Sequence, residues 1–184
     1  MSYRPEFEAA LRLLARVSEA MVARGYQRPV LVGGGAVELY SQSAVTTGDF
    51  DLVTGRQEDF ERIMQGHGFT RPTGAGRAKR GWVHANLALG FEVVSATLLD
   101  GLADRDRVLL VDMGVNGTIA VLSVEDMIAD RMGQYASGSA PEMLGQARQL
   151  YRLHADCDRA YLARRIMEES AGDYGIEALE AHDI

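Results

Sequence analysis

The chain has 184 residues, 47% of them hydrophobic, which is enough for the core of one domain or of a small domain with a helical appendage. The formal net charge of −7 and the isoelectric point near 5.1 argue against an extended nucleic-acid interface, because that kind of surface needs a basic face. No apolar run approaches a membrane span, the N-terminus lacks a signal-peptide pattern, and the lone Cys157 cannot form an internal disulfide. We therefore expect a cytoplasmic protein that does not contact the membrane.

Two elements are predicted before the first motif. Residues 6–24 carry apolar side chains at three- and four-residue spacing with charged side chains opposite, which predicts an amphipathic helix. Residues 30–32 are a short run of valine and leucine, which predicts a buried strand that ends in a tight turn. The helix needs no function beyond packing.

Three consecutive glycines, Gly33, Gly34 and Gly35, follow that strand and precede a helical segment at residues 36–41. Glycine leaves backbone N–H groups accessible without a Cβ in the way, and the N-terminus of a helix favours an anion. A phosphate group is therefore the expected ligand of this turn. A plain strand-to-helix turn is the alternative, because three glycines alone are weak evidence.

Two aspartates come next, one residue apart. On a strand, the carboxylates of Asp49 and Asp51 share one face, whereas Phe50 and Leu52 face the core. Two carboxylates about 6 Å apart repel by about 3 kcal/mol at an effective dielectric constant near 20, a penalty that a purely structural strand has no reason to carry. A divalent cation removes this repulsion, and hard oxygen ligands at this spacing suit Mg2+.

A basic loop is predicted after a further helix at residues 56–65. Residues 70–81 are rich in glycine and carry four cations, Arg71, Arg77, Lys79 and Arg80, with no acidic residue among them. Two interpretations stay open. The cations either neutralise phosphate charge or hold an acceptor strand, or the segment is an ordinary solvated loop.

Two hairpins are predicted between residues 82 and 122. The first joins residues 82–88 to residues 91–98 and would bring Glu92, a single acid in an apolar strand, near Asp51. The second joins residues 108–113 to residues 118–122, with Asn116-Gly117 favouring a primed two-residue turn. Both pairs are expected to extend the sheet.

The C-terminal third is predicted to be helical. Ser123 and Asp126 form an N-cap pair that opens three helices near residues 124–136, 141–153 and 156–170. On the first of these helices, Asp126, Asp130, Arg131 and Gln134 share a face, which predicts a salt-bridged surface. The fold class is therefore α/β (α+β), a mixed central sheet of about five strands with flanking helices. The core is expected at residues 1–122, with a helical subdomain at residues 123–184 packed on it.

Two motifs resemble a known family. Gly33-Gly34-Gly35-Ala36 and Thr47-Gly48-Asp49-Phe50-Asp51-Leu52 look like the signature of the nucleotidyltransferase superfamily, whose fold resembles that of DNA polymerase β. Within it, they are most similar to bacterial single-domain proteins that include abortive-infection-type nucleotidyltransferase toxins. The resemblance covers residues 28–96.

The resemblance implies roles for six residues. Gly33, Gly34 and Gly35 would hold the phosphates of an NTP, and Asp49 and Asp51 would hold two Mg2+ ions. Glu92 fits the third carboxylate that the superfamily usually carries on a later strand.

The implied function is metal-dependent transfer of an NMP from an NTP to an acceptor hydroxyl on RNA, a protein or a small molecule. The alternative is a noncatalytic nucleotide-binding protein, or a toxin-antitoxin partner, with the same fold. A Rossmann dinucleotide site is disfavoured, because Glu38 stands where its final glycine would be.

Overall fold

The computed structural model describes residues 3–72, 81–87 and 89–181. Its first elements are helix α1, strand β1, helix α2, strand β2 and helix α3, at Pro5–Val22, Val30–Val32, Gly33–Tyr40, Asp49–Val53 and Gln57–Gly66. Strands β3, β4 and β5 follow at Phe69–Thr70, Val83–His84 and Gly90–Ser95. After 3-10 turns at Leu98–Gly101 and Arg105–Arg107, strands β6 and β7 lie at Leu109–Asp112 and Thr118–Val121, on either side of a third such turn at Gly114–Asn116. Helices α4 to α7 come last, at Val124–Ala136, Met143–Leu153, Arg159–Glu169 and Glu177–Glu180.

Five strands form one mixed sheet in the order β5-β2-β1-β7-β6. Strand β2 is antiparallel to β1 and parallel to β5, whereas β7 is parallel to β1 and antiparallel to β6. Strands β3 and β4 pair separately as an antiparallel ribbon. The prediction of a mixed α/β fold with about five sheet strands, flanking helices and a helical C-terminal third is therefore confirmed.

The two predicted hairpins have different outcomes. The first is wrong in its main pairing, because β4 pairs with β3. Within the residues that the structure describes, a single antiparallel bridge, between Trp82 and Phe91, links this segment to β5. The second is confirmed as a β6–β7 pair. Its connection is a 3-10 turn at Gly114–Asn116 and not the predicted primed turn, because the positive φ values are at Gly114 and Gly117, 62° and 104°, and not at Asn116.

The chain divides into two compact units, Met1–Leu122 and Ser123–Ile184. In the first unit, four phenylalanines from α1, β2, β3 and β5 form an aromatic cluster, and each is at most 2% exposed: Phe7, Phe50, Phe69 and Phe91. The ring centroids lie 5.2 Å apart for Phe7 and Phe50, 5.0 Å for Phe50 and Phe91, and 4.7 Å for Phe91 and Phe69, in the tilted and edge-on arrangements that aromatic side chains favour. Within the described ranges, no helix is both long and apolar enough to cross a membrane.

A buried ionic cluster joins α4 to α6 in the second unit. Asp126 accepts a hydrogen bond from Arg165 Nε at 2.7 Å, and Arg165 also donates to two glutamates of α6 at 2.6 and 2.5 Å. Burial lowers the pKa of Arg165, but the hydrogen bonds to its carboxylates outweigh burial and raise it. The predicted N-cap is confirmed, since the Asp126 N–H donates to Ser123 Oγ at 3.1 Å. The predicted salt-bridged surface is wrong, because Asp126 and Arg131 are buried.

Candidate active site

The three predicted carboxylates lie on one face of two neighbouring strands. Asp49 and Asp51 occupy alternate positions of β2, and Glu92 on β5 is the Cα partner of Asp51. Partners on adjacent strands, about 4.8 Å apart, point to the same face of a sheet. Phe50 and Phe91 are also partners, and their rings pack 5.0 Å apart on the opposite face. The structure therefore places the three carboxylates on one face of adjacent strands, with Asp49 exposed and Asp51 and Glu92 half-buried.

The glycine run is the first turn of α2, not a loop before it. The helix begins at Gly33, where φ is 59°, rather than at Ala36. A Cβ on Gly33 would lie 2.2 Å from Oδ2 of Asp51, and one on Gly34 would lie 2.5 Å from Oγ1 of Thr47. A side chain at either position would force its neighbour to shift, and at Gly33 the positive φ would add backbone strain for any other residue. The first turn of α2 thus lies beside the Asp51 carboxylate.

The first-turn N–H groups of α2 suit a bound anion. The N-cap residue is Val32, whose side chain cannot accept a hydrogen bond from them. The first turn itself carries no acidic side chain, but the Asp51 carboxylate lies beside Gly33 and would repel an anion unless a cation neutralises it. The phosphate-binding role of the glycines therefore stays a prediction.

Thr47 is a site residue that the sequence reasoning missed. Its hydroxyl donates to the backbone carbonyl of Asp49 at 3.0 Å, and its Oγ1 is the atom nearest to a Cβ placed on Gly34. Thr47 therefore links the loop before β2 to the first turn of α2. The sequence Thr-Gly-Asp could have predicted this hydrogen bond, because a threonine hydroxyl in a turn often bonds the backbone two residues further on.

Glu38 fixes the same loop from inside the unit. Its side chain is 0% exposed and accepts hydrogen bonds from Arg4 Nε at 2.6 Å, Arg4 Nη2 at 2.9 Å, the Thr47 N–H at 2.7 Å and the Ser43 hydroxyl at 2.9 Å. Burial alone would raise the pKa of Glu38, but these hydrogen bonds and the charge of Arg4 outweigh burial and lower it. Glu38 is therefore an ionised structural group that holds Thr47 two residues before Asp49.

The predicted basic loop lies only partly within the described residues. Arg71 forms an ion pair with Glu61, with 2.9 Å between Nη2 and Oε2, and its guanidinium lies 4.8 Å from the centre of the tryptophan ring. Its charge is therefore already balanced by a carboxylate of α3. Arg77, Lys79 and Arg80 lie outside the described residues.

No protein-family model and no curated protein matches the chain. Among solved structures, the crystal structure of an antigenic nucleotidyltransferase-like protein from Paracoccidioides brasiliensis is similar, with a TM-score of 0.57. The match covers 97% of this chain and 94% of that chain at 14% sequence identity. The chain has a nucleotidyltransferase-like fold. At this identity the similarity concerns the fold, so any activity must be argued from the local geometry.

In this nucleotidyltransferase-like fold, the carboxylate face has the ligand chemistry that Mg2+ prefers, because its donors are hard carboxylate oxygens. Within the part of the chain that the structure describes, neither Asp49 nor Glu92 forms an ion pair. In the same ranges, no three acidic, histidine or cysteine side chains are already gathered closely enough to hold a metal ion. The three carboxylates suit Mg2+ because they are oxygen ligands on one face of β2 and β5. Metal binding stays a prediction.

Proposed function

We propose that the protein is a metal-dependent nucleotidyltransferase, which transfers an NMP from an NTP to an acceptor hydroxyl. One observation supports this proposal above the others, namely that Asp51 adjoins both Gly33 on α2 and Glu92 on β5. An NTP complexed with Mg2+ needs oxygen ligands for the cation and N–H donors for the phosphates. Both kinds of group are adjacent here.

The residues would have distinct roles. The amides of Gly33, Gly34 and Gly35 bind the NTP phosphates, and Asp49, Asp51 and Glu92 hold Mg2+, at two positions according to the resemblance. Bound Mg2+ supplies positive charge that stabilises the oxyanions formed during transfer.

The transfer itself makes and breaks one bond at phosphorus. The acceptor oxygen forms a bond to the α-phosphorus while the bond to the pyrophosphate oxygen opposite it breaks, so orientation of the two reactants lowers the barrier. Glu92 either accepts the proton of the acceptor hydroxyl or completes the metal site, and it is half-buried beside Asp51.

The acceptor belongs to one of three classes, RNA, a protein hydroxyl or a small molecule such as an aminoglycoside. By its resemblance to abortive-infection-type nucleotidyltransferases, the protein would act in the cytoplasm, with a toxin or antitoxin as a further partner. The −7 net charge favours a local contact with the acceptor over an extended basic interface.

A labelling experiment tests the proposal. The protein is incubated with each α-labelled NTP and Mg2+ together with cellular RNA, protein or small-molecule fractions, and a double variant with Asp49→Asn and Asp51→Asn is the control. We expect label in one fraction, only with the wild type and only without EDTA. If NTP and Mg2+ raise the melting temperature but nothing is labelled, the noncatalytic nucleotide-binding or toxin-antitoxin alternative takes its place. Absence of both effects refutes both functions.

A further inference from the structure

A cavity of about 310 Å³ lies at the end of the sheet opposite the candidate active site. Residues 25–28, residues 54–56 and Arg105 line it, where β1 begins and β2 ends. Val30 pairs with Val53 at this end, whereas Val32 pairs with Asp51 at the other. Thr54 is three positions from Asp51, about 10 Å along an extended chain, so a ligand in the cavity is separate from one at the carboxylates.

The lining carries three arginines and no acidic residue, in a protein whose net charge is −7. Arg28 is balanced by Glu19, with 2.8 Å between Nη1 and Oε1. Arg56 and Arg105 differ from Arg28, because neither is paired with a carboxylate anywhere in the described residues. Both guanidinium groups therefore remain available to an anionic ligand, although Glu58, Asp59 and Glu61 line an adjoining pocket that shares Arg56.

Neutral groups position both of these arginines. Arg105 Nη1 donates to Gln27 Oε1 at 2.5 Å, and the Arg56 guanidinium lies 5.3 Å from the centre of the Tyr26 ring. The backbone N–H of Arg56 also donates to Thr54 Oγ1 at 3.2 Å, which fixes the start of α3. These contacts restrict the side chains without neutralising their charge, so less rotamer entropy is lost when an anion binds.

We propose that this cavity is a second ligand site, which binds the phosphate groups of a small molecule, either free pyrophosphate or the phosphates of a free nucleotide. Guanidinium groups bind phosphate oxygens in a bidentate manner, which makes arginine well suited to this anion. A volume of about 310 Å³ is near the lower limit of small-molecule sites. The cavity is half open to solvent, and its volume suits a compact anion, so competition by an oligonucleotide is one of the outcomes tested below.

The test measures binding by calorimetry and by the melting temperature, without divalent cations. The variants are Arg56→Gln, Arg105→Gln and the double variant, and both side chains are exposed, so folding should be kept. We expect pyrophosphate to stabilise the wild type. The double variant should bind about 100-fold more weakly, since each charge-assisted contact contributes about a tenfold factor. Binding of AMP and of inorganic phosphate is measured in the same way, and comparison with pyrophosphate shows whether the site prefers a nucleotide or pyrophosphate.

Two controls make the result specific. Arg62→Gln removes an arginine of α3 that is 71% exposed and pairs with Asp59 outside the cavity, so it should bind like the wild type. The Asp49→Asn and Asp51→Asn double variant should bind pyrophosphate as tightly as the wild type. An anion bound beside those carboxylates would instead bind more tightly once their negative charges are removed, so a gain in affinity would assign the anion to the candidate active site.

Three other results would overturn the proposal. The first is no heat and no rise in melting temperature up to about 10 mM of any of the three anions. The second is an equal loss of binding in Arg62→Gln. The third is a single-stranded oligonucleotide that competes out pyrophosphate and depends on Arg56 and Arg105, which would make the ligand a nucleic acid.

Discussion

Replacing Glu38 with glutamine should destabilise the N-terminal unit much more than the same change at an exposed glutamate. Glu38 is 0% exposed and accepts four hydrogen bonds, two of them from Arg4. Glutamine keeps the shape but turns an NH2 group towards these donors, so at least one donor loses its acceptor and Arg4 loses its counter-ion. Breaking a buried ion pair from one side costs about 3–5 kcal/mol. The Arg4 side chain is 28% exposed and can be partly hydrated, so we expect a loss of about 3 kcal/mol.

Urea unfolding followed by tryptophan fluorescence measures this loss. The chain has a single tryptophan, and Trp82 is 4% exposed within the Met1–Leu122 unit, so its signal reports that unit. Glu8→Gln is the matched control, because Glu8 forms an exposed ion pair with Arg12 at 2.6 Å on α1. That pair should contribute less than about 0.5 kcal/mol. Equal losses of unfolding free energy in the two variants would refute the reasoning.

The pH dependence of the unfolding free energy tests whether Glu38 stabilises the fold as an ionised carboxylate. The pKa of Glu38 is lowered in the folded protein, so its stabilisation is present above the ordinary value of 4.5 and disappears as the pH falls through the folded value. The difference in unfolding free energy between the wild type and Glu38→Gln should therefore be full at neutral pH and shrink in acid. A difference that grows as the pH falls below 4.5 would contradict this assignment.

Three further predictions concern the candidate active site, and all are read from melting temperatures or transfer rates. Gly33→Ala should lower the melting temperature and abolish stabilisation by NTP and Mg2+, because its Cβ would lie 2.2 Å from Oδ2 of Asp51. Gly48→Ala, which has open space around its Cβ, should do neither. Asp51→Asn should keep or raise the melting temperature without metal, because it relieves carboxylate repulsion, but lose the shift caused by NTP and Mg2+. A clear fall without metal would instead mark Asp51 as structural. Glu92→Gln should keep that shift and lower the transfer rate by about 100- to 10,000-fold. Transfer at the wild-type rate would exclude a catalytic role for Glu92.

The alternation of side chains along β2 predicted its two faces but could not predict its partners. Phe50 and Asp51 point to opposite sides because a strand has a period of two residues, which is a local property. Pairing of β2 with β5 joins segments far apart in the sequence, and no local pattern encodes that register. Glu92 lies beside Asp51 as expected, although the pairing that brings it there is the parallel β2–β5 pair and not a hairpin.

Buried charges were the main features that the sequence did not reveal. Acidic residues are rarely buried unless they are paired, so Glu38 and Asp126 read as surface groups when each helix is considered alone. Their partners, Arg4 and Arg165, lie 34 and 39 residues away on other elements. The start of α2 at Gly33 was also not predicted from the sequence. Glycine is a poor helix former, and the contact that favours glycine here is with Asp51 on another element.

Strand β2 is hydrogen bonded along both edges, to β1 and to β5. Its amides can exchange with solvent only when the sheet opens, so we expect them to be among the most protected in the unit. A slip by one residue would turn Asp49 and Asp51 into the aromatic cluster and would break the register with both neighbours at once. Asp49 and Asp51 therefore lie on a strand whose register is fixed by both neighbouring strands. Any movement that accompanies ligand binding is therefore expected outside β2.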